Sequence, residues 1–151
     1  MASCEYDSLE VSPENRIRVL LEKQNPYSKY LGNMGQIITD MAKENDALVA
    51  INGGGFFDPE GKSYGGIPTG LTIKDGKVLY DFKSGGVGKV IGFTEEHKLI
   101  LGHMTLEQVK ANKVTDAIEF GPYLIINGKP TTIYGNGGWG YGPRTAIGQR
   151  K

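Results

Sequence analysis

The sequence predicts an α+β fold, in which a curved, mainly antiparallel sheet packs against a few helices. Three observations lead to this fold class. The 151 residues include 23 glycines and 7 prolines, a composition typical of short strands joined by tight turns. Two Asx-Gly dipeptides follow or separate strand-like runs, which is the signature of β-hairpins. Only two segments carry clear helical signals.

Those two segments predict short helices. The first is Gln36–Asn45, in which Ile37 and Met41 share one face at the i, i+4 spacing and Ile38 and Ala42 share the neighbouring face. The second follows Thr105, which precedes Gln108 by three residues. Because that spacing is typical of a capping box, we predict a short helix from Leu106 to about Ala111.

The remaining regular segments predict strands. Asp75-Gly76 lies between two strand-like runs in Leu71–Tyr80 and predicts a hairpin, and Asn127-Gly128 predicts another after Tyr123–Ile126. Alternating or continuous apolar runs predict the other strands: 16–21, 47–51, 90–93 paired with 99–101, 117–120 and 145–149.

The composition excludes several classes of protein. Lys plus Arg and Asp plus Glu number 17 each, so the net charge is zero and a nucleic-acid partner is not expected. No apolar run is long enough for a transmembrane segment. Cys4 is the single cysteine, which excludes an internal disulfide and a cysteine-based metal site, and His97 and His103 are too few for a histidine site. We therefore expect no metal site and no cofactor.

The most unusual motif is Ala-Ile-Asn-Gly-Gly-Gly-Phe-Phe-Asp, residues 50–58. An apolar run ends at Asn52, and Gly53, Gly54 and Gly55 follow it. Three side chains are thus missing where side chains normally pack, which indicates either a β-bulge or the close approach of a ligand. The motif contains neither the nucleotide-binding nor the dinucleotide-binding glycine pattern.

Four motifs in this order resemble the phosphodiester glycosidase family, whose animal member is the "uncovering enzyme". They are residues 50–58, Pro68-Thr-Gly70 with Asp75-Gly-Lys77, Gly121-Pro-Tyr-Leu124 with Asn127-Gly-Lys129, and Arg144-Thr-Ala-Ile-Gly148. The resemblance covers about residues 16–149. It implies that 16–151 form the N-terminal part of such a domain, after an N-terminal extension over 1–15.

The activity implied by this resemblance is hydrolysis of a sugar-1-phosphodiester at the glycosidic bond. Its substrate would be a sugar phosphodiester, whose phosphate must be neutralised while a carboxylate activates water or stabilises an oxocarbenium-like centre. Because bacterial relatives are often exopolysaccharide or cell-envelope proteins, it also implies an extracytoplasmic or envelope location if a signal has been removed.

The sequence offers candidates for the group that binds the phosphate and for the catalytic carboxylate. Arg144 offers a permanently charged, bidentate fork for phosphate, although a surface ion pair would also explain it. Glu119 interrupts an apolar strand before Gly121-Pro122. If Ile118 and Phe120 face the core, Glu119 points to the opposite face. Asp58 competes for the carboxylate role, but its place before a proline also suits a turn.

The other candidate residues would hold the sugar. Asn52 could bind sugar hydroxyls or phosphate oxygens, or satisfy its own turn, and the backbone of Gly53–Gly55 would allow close approach. Trp139 and Tyr141 lie in a glycine-rich loop and could stack on sugar faces, and Thr145 is the neighbour of Arg144 in the same motif. We expect Asn52, Glu119 and Arg144 to converge on one cleft.

The last predicted strand has no partner in the chain, because the sequence stops at Lys151. An unpaired strand edge is normally covered. Two arrangements fit: the domain is incomplete, or another chain completes it, either a complementary C-terminal half or a second copy. The rival functions are a carbohydrate-binding or cell-envelope module without turnover, and a non-enzymatic module that assembles through strand pairing.

Overall fold

The computed structural model describes residues 36–61, 67–82, 86–135, 140, 142 and 145–150. Short antiparallel strands dominate this part of the chain, with two short helices, as an α+β fold requires. In chain order the elements are α1 (Ile38–Glu44), β1 (Gly55–Phe56), a 3-10 turn (Pro59–Gly61), β2 (Pro68–Thr69), β3 (Thr72–Lys74), β4 (Lys77–Tyr80), β5 (Gly88–Thr94), β6 (Leu99–Met104), α2 (Leu106–Ala111), β7 (Val114–Glu119), β8 (Ile125–Ile126) and β9 (Lys129–Pro130).

A five-stranded antiparallel sheet with the order β4-β3-β7-β5-β6 forms the centre. The β3–β4 and β5–β6 hairpins flank β7, which pairs with β3 on one side and with β5 on the other. Two small ladders, β1–β2 and β8–β9, stand apart from this sheet. The central strand is therefore the last of the five in sequence.

Both predicted Asx-Gly hairpins form. Asp75 and Gly76 have φ values of 49° and 75°, and Asn127 and Gly128 have 51° and 75°. Positive φ at both central residues is the geometry of the type I′ turn, whose twist matches that of the flanking strands. The predicted β5–β6 hairpin is also present.

The core lies where α2 packs on the sheet. Val109 of α2 and Val90, Leu71 and Ile73 of the sheet region are each at most 2% exposed. The capping box that starts α2 is complete: the Thr105 hydroxyl accepts the Gln108 N–H, and the Gln108 side chain accepts the Thr105 N–H. The sequence prediction for this helix is confirmed.

The first predicted helix is confirmed as α1, but the strand expected directly after it is wrong. Residues 47–51 are not in a strand, and Leu48, Val49 and Ile51 are 70%, 60% and 42% exposed. The helix end is closed by a hydrogen bond from Ala47 N–H to the Ala42 carbonyl, after Asp46 at a φ of 49°. No described strand pairs with this run, so the apolar sequence alone does not make it a strand.

The strand predicted over 145–149 is also wrong. Residues 145–150 are exposed and form no strand. The Gln149 side-chain amide accepts a hydrogen bond from Leu99 N–H at 2.7 Å and donates one to the His97 carbonyl at 2.9 Å. The Leu99 N–H, which a strand over 145–149 would need as a backbone donor, is therefore bonded to a side chain instead. The strand predicted over 16–21 lies outside the described residues.

None of the helices in the described ranges is long and apolar enough to cross a membrane.

Candidate functional site

Glu119 ends β7, the central strand of the sheet. It pairs with Val90 of β5, while Ala117 pairs with Gly92 of β5 and with Ile73 of β3. Directly paired residues of an antiparallel sheet share a face, so Glu119 lies on the face that carries Val90 and Ile73. The condition considered from the sequence, with Ile118 and Phe120 toward the core, is therefore not met: Phe120 is 39% exposed and Glu119 stands at the rim of the core face.

The Glu119 carboxylate is fixed by a hydrogen bond and two close backbones. Its Oε2 accepts the N–H of Leu71 at 3.1 Å, and Leu71 is fully buried. A Cβ atom placed on Gly70 would lie 2.2 Å from Oε2, and one on Gly88 would lie 2.6 Å from Oε1. Only residues without a side chain can stand this close, so Gly70 and Gly88 together form a slot for the carboxylate.

The triglycine motif runs beside the same stretch of β7. A Cβ atom on Gly54 would lie 3.5 Å from the Glu119 carbonyl oxygen and 3.6 Å from Ile118 Cβ. Gly55 pairs with Thr69 in the β1–β2 ladder. The residue after Thr69 is Gly70, whose backbone lies against the Glu119 carboxylate. The structure thus brings the backbone of the triglycine motif and Glu119 together through Thr69 and Gly70.

The other predicted site residues are placed as follows. Asn52 and Asp58 are exposed, and the Asp58 carbonyl accepts a long, 3.5 Å hydrogen bond from Gly61 N–H at the 3-10 turn. Thr145 is exposed in the segment that carries Gln149. The remaining three, Arg144, Trp139 and Tyr141, lie outside the described residues. The expected convergence of Asn52, Glu119 and Arg144 therefore stays a prediction.

Two clefts open near this end of the sheet. One, of about 240 Å³, is lined by Phe57, Ile67, Pro68, Thr69, Gly70, Tyr80 and Asp81. It adjoins the Glu119 slot through Gly70 and is mostly apolar, so it could receive the carbon face of a sugar or aglycone. The other, of about 290 Å³, lies between the β5–β6 hairpin and residues 122–134.

Tyr123 is one of the residues that line the second cleft. Its hydroxyl lies 2.7 Å from the Gly102 carbonyl and 3.1 Å from the Val90 carbonyl, so its single proton is shared between two acceptors. Burial raises the pKa of Tyr123 to about 12, the hydrogen bond to Gly102 opposes that shift, and the Glu119 charge adds to it. The phenol therefore remains neutral at ordinary pH and acts as a donor.

Sequence reasoning missed the residues that hold the carboxylate. Leu71 and Glu119 are 48 positions apart, and no local pattern relates them. In the sequence, Gly70 stands out only as part of the Pro-Thr-Gly motif, and Gly88 carries no signal. The only sequence signal for these residues was the Pro-Thr-Gly motif, because it precedes a strand and has no obvious function as a turn.

Within the described ranges, no group of three or more His, Cys, Asp or Glu side chains is arranged to hold a metal ion.

Comparison with known proteins gives one family. The sequence model of the phosphodiester glycosidase family matches residues 45–151, more than two thirds of the chain. The match includes the triglycine motif, Gly70, Gly88 and Glu119. No curated protein sequence matches the chain.

Proposed function

This chain belongs to the phosphodiester glycosidase family, and we propose that it hydrolyses a glycosyl phosphodiester at the glycosidic bond. The observation that supports this activity best is the fixed Glu119 carboxylate beside the triglycine backbone. A carboxylate held by a backbone N–H next to an open backbone can act on a sugar ring bound against that backbone.

In the proposed reaction, water attacks the anomeric carbon and the bond from that carbon to the phosphate oxygen breaks. The leaving phosphate takes the bonding electrons, and the proton of the attacking water ends on the phosphate monoester. Glu119 activates the water or stabilises the positive charge that develops on the ring. Because phosphate is a good leaving group, neutralising its charge matters more than protonating it.

The phosphate and the sugar need further groups, which we assign from the sequence. Arg144 would clamp the phosphate through two parallel N–H donors. Asn52, which is exposed next to the triglycine backbone, would bind sugar hydroxyls. Asp58 is exposed at a turn, whereas the Glu119 carboxylate lies between Gly70 and Gly88, so Glu119 is the stronger candidate for the carboxylate.

The test is hydrolysis of an N-acetylglucosamine-1-phosphodiester in ¹⁸O-labelled water, followed by ³¹P NMR. Glycosidic cleavage leaves the phosphate monoester unlabelled, whereas attack at phosphorus labels it. Glu119→Gln should lower kcat/KM by about 100-fold or more. The same variant should lose no more than about 1.5 kcal/mol of stability, because the amide oxygen still accepts the Leu71 N–H, although more weakly than the carboxylate does. Glu96→Gln, at an exposed turn, is the matched control.

Equal activity of the Glu119→Gln variant and the wild-type protein would contradict the assigned role. Binding of the phosphodiester without turnover, by the chain alone and by its assemblies, would support the carbohydrate-binding or envelope module instead.

We also propose that the chain works with a second polypeptide, either a complementary C-terminal half or another copy. The exposed apolar residues Leu48, Val49 and Ile51 support this, because adjacent exposed apolar side chains are typical of contact surfaces. Size-exclusion chromatography with light scattering tests it. A stable 16.4 kDa monomer that hydrolyses the phosphodiester would contradict the proposal.

A further inference from the structure

The 290 Å³ cleft lies on the face of the sheet opposite to Glu119. Lys89 and His103 stand directly across from each other in the β5–β6 pairing, so their side chains share a face. Val90, the next residue, shares the other face with Glu119. Since neighbouring strand residues alternate, the Lys89–His103 pair and the Glu119 carboxylate point to opposite sides.

The lining of this cleft suits an anion. Its members are Lys89, His103, Pro122, Tyr123, Thr131, Thr132, Ile133 and Tyr134, and none of them is acidic. In the described part of the chain neither the side-chain nitrogen of Lys89 nor the imidazole of His103 has a hydrogen-bond or ion-pair partner, and His103 contacts the Tyr123 ring edge-on with centroids 6.0 Å apart. A lysine charge and an imidazole are thus available to a ligand.

Lys89 is directed by the backbone that forms the cleft wall. A Cβ atom on Gly121 would lie 2.9 Å from Lys89 Cδ and 3.7 Å from Nζ. The lysine stem therefore lies along Gly121, next to Pro122 in the lining. This packing limits the rotamers of the side chain and lowers the entropy cost of holding an anion.

A largely exposed aromatic ring completes the cleft. Tyr134 is 86% exposed, although burying a tyrosine ring is favourable. A ring in this position can stack on the carbon face of a sugar. The cleft volume of about 290 Å³ is at the lower limit of small-molecule sites, which fits one sugar ring better than a chain of them.

We propose that this cleft is a second binding site, for a sugar phosphate, with the phosphate on Lys89 and His103 and the sugar ring on Tyr134. It lies on the opposite face from Glu119 and is separate from the proposed reaction. Its function does not depend on turnover.

Isothermal titration calorimetry with glucose 6-phosphate, glucose and inorganic phosphate tests this site on the full chain. We expect glucose 6-phosphate to bind at least about tenfold more tightly than either glucose or inorganic phosphate, since only it engages both halves of the cleft. Lys89→Gln should weaken its binding about tenfold through the lost charge-assisted contact. Tyr134→Ala should weaken glucose 6-phosphate binding and leave phosphate binding unchanged.

Two control variants make the result decisive. Lys98→Gln removes the same charge at the far end of the β5–β6 hairpin and should change binding less than twofold. Glu119→Gln should not weaken binding, because the Glu119 side chain points to the other side of the sheet. Absence of glucose 6-phosphate binding, equal effects of Lys89→Gln and Lys98→Gln, or loss of binding in Glu119→Gln would each overturn the proposal. Inorganic phosphate binding as tight as glucose 6-phosphate binding would overturn the role of Tyr134.

Discussion

Replacing Gly70 by alanine tests the carboxylate slot most directly. Gly70 has a φ of 85°, a conformation that costs an L-residue about 1–2 kcal/mol. The new Cβ atom would also lie 2.2 Å from Glu119 Oε2 and 2.8 Å from its Cδ, so the carboxylate must move. Moving it breaks the hydrogen bond to the buried Leu71 N–H, which is worth about 1.5–3 kcal/mol for a charged acceptor.

The expected loss in the free energy of unfolding is therefore about 2.5–5 kcal/mol, the sum of these two contributions. Gly76→Ala is the matched control, because Gly76 has a φ of 75° and a Cβ atom there meets nothing within 4 Å. That variant should lose only about 1–2 kcal/mol, the backbone contribution alone. Urea denaturation followed by circular dichroism measures both values.

A double-mutant cycle separates the carboxylate from other neighbours of Gly70. In a Glu119→Ala background the contacts to Oε2 and Cδ disappear, and only the 2.9 Å contact to the Glu119 Cβ remains. Gly70→Ala should then cost at least about 1 kcal/mol less than in the wild-type protein. Equal losses for Gly70→Ala and Gly76→Ala, or additive effects of Gly70→Ala and Glu119→Ala, would refute the slot.

Three further outcomes are expected. Arg144→Lys should lower hydrolysis of the phosphodiester far more than it lowers stability, because charge remains and bidentate geometry does not; unchanged kcat/KM would exclude a phosphate clamp. Thr105→Ala should destabilise the protein by about 1 kcal/mol in thermal unfolding, through loss of the α2 cap, whereas Thr132→Ala, at an exposed site, should not. The pKa of Tyr123 is raised from 10.0 to about 12, so folding favours its neutral form. That stabilisation is complete below pH 10 and is lost as the pH rises from 10 to 12. Tyr123→Phe should reduce this loss in urea unfolding measured across the window, and an unchanged loss would contradict the assignment to Tyr123.

The local elements were predictable because their causes are local. Asp75-Gly76 and Asn127-Gly128 favour the type I′ turn through their own backbone preferences, whatever surrounds them. Thr105 and Gln108 cap α2 with groups only three residues apart. The family, too, was evident from short motifs, and its sequence model matches residues 45–151.

Strand predictions failed where a strand needs a distant partner. The apolar run 47–51 has the composition of a buried strand, yet no described strand pairs with it and its side chains are exposed. At 145–149 the Gln149 side chain takes the Leu99 donor that a new strand would use. The composition of a segment indicates that it could form a strand, whereas pairing with another strand depends on residues far away in the sequence.

By itself, the sequence determined the fold class, the hairpin turns and the helix starts, and it drew attention to Glu119 as a carboxylate that interrupts a strand. Only the tertiary structure decided which way that carboxylate faces and what holds it. Inserting β7 between β3 and β5 fixes the register of Glu119 against Val90, and this register brings in Gly70, Gly88 and the Leu71 N–H. Side-chain direction in a strand follows from pairing, and pairing between residues 48 positions apart leaves no trace in local sequence.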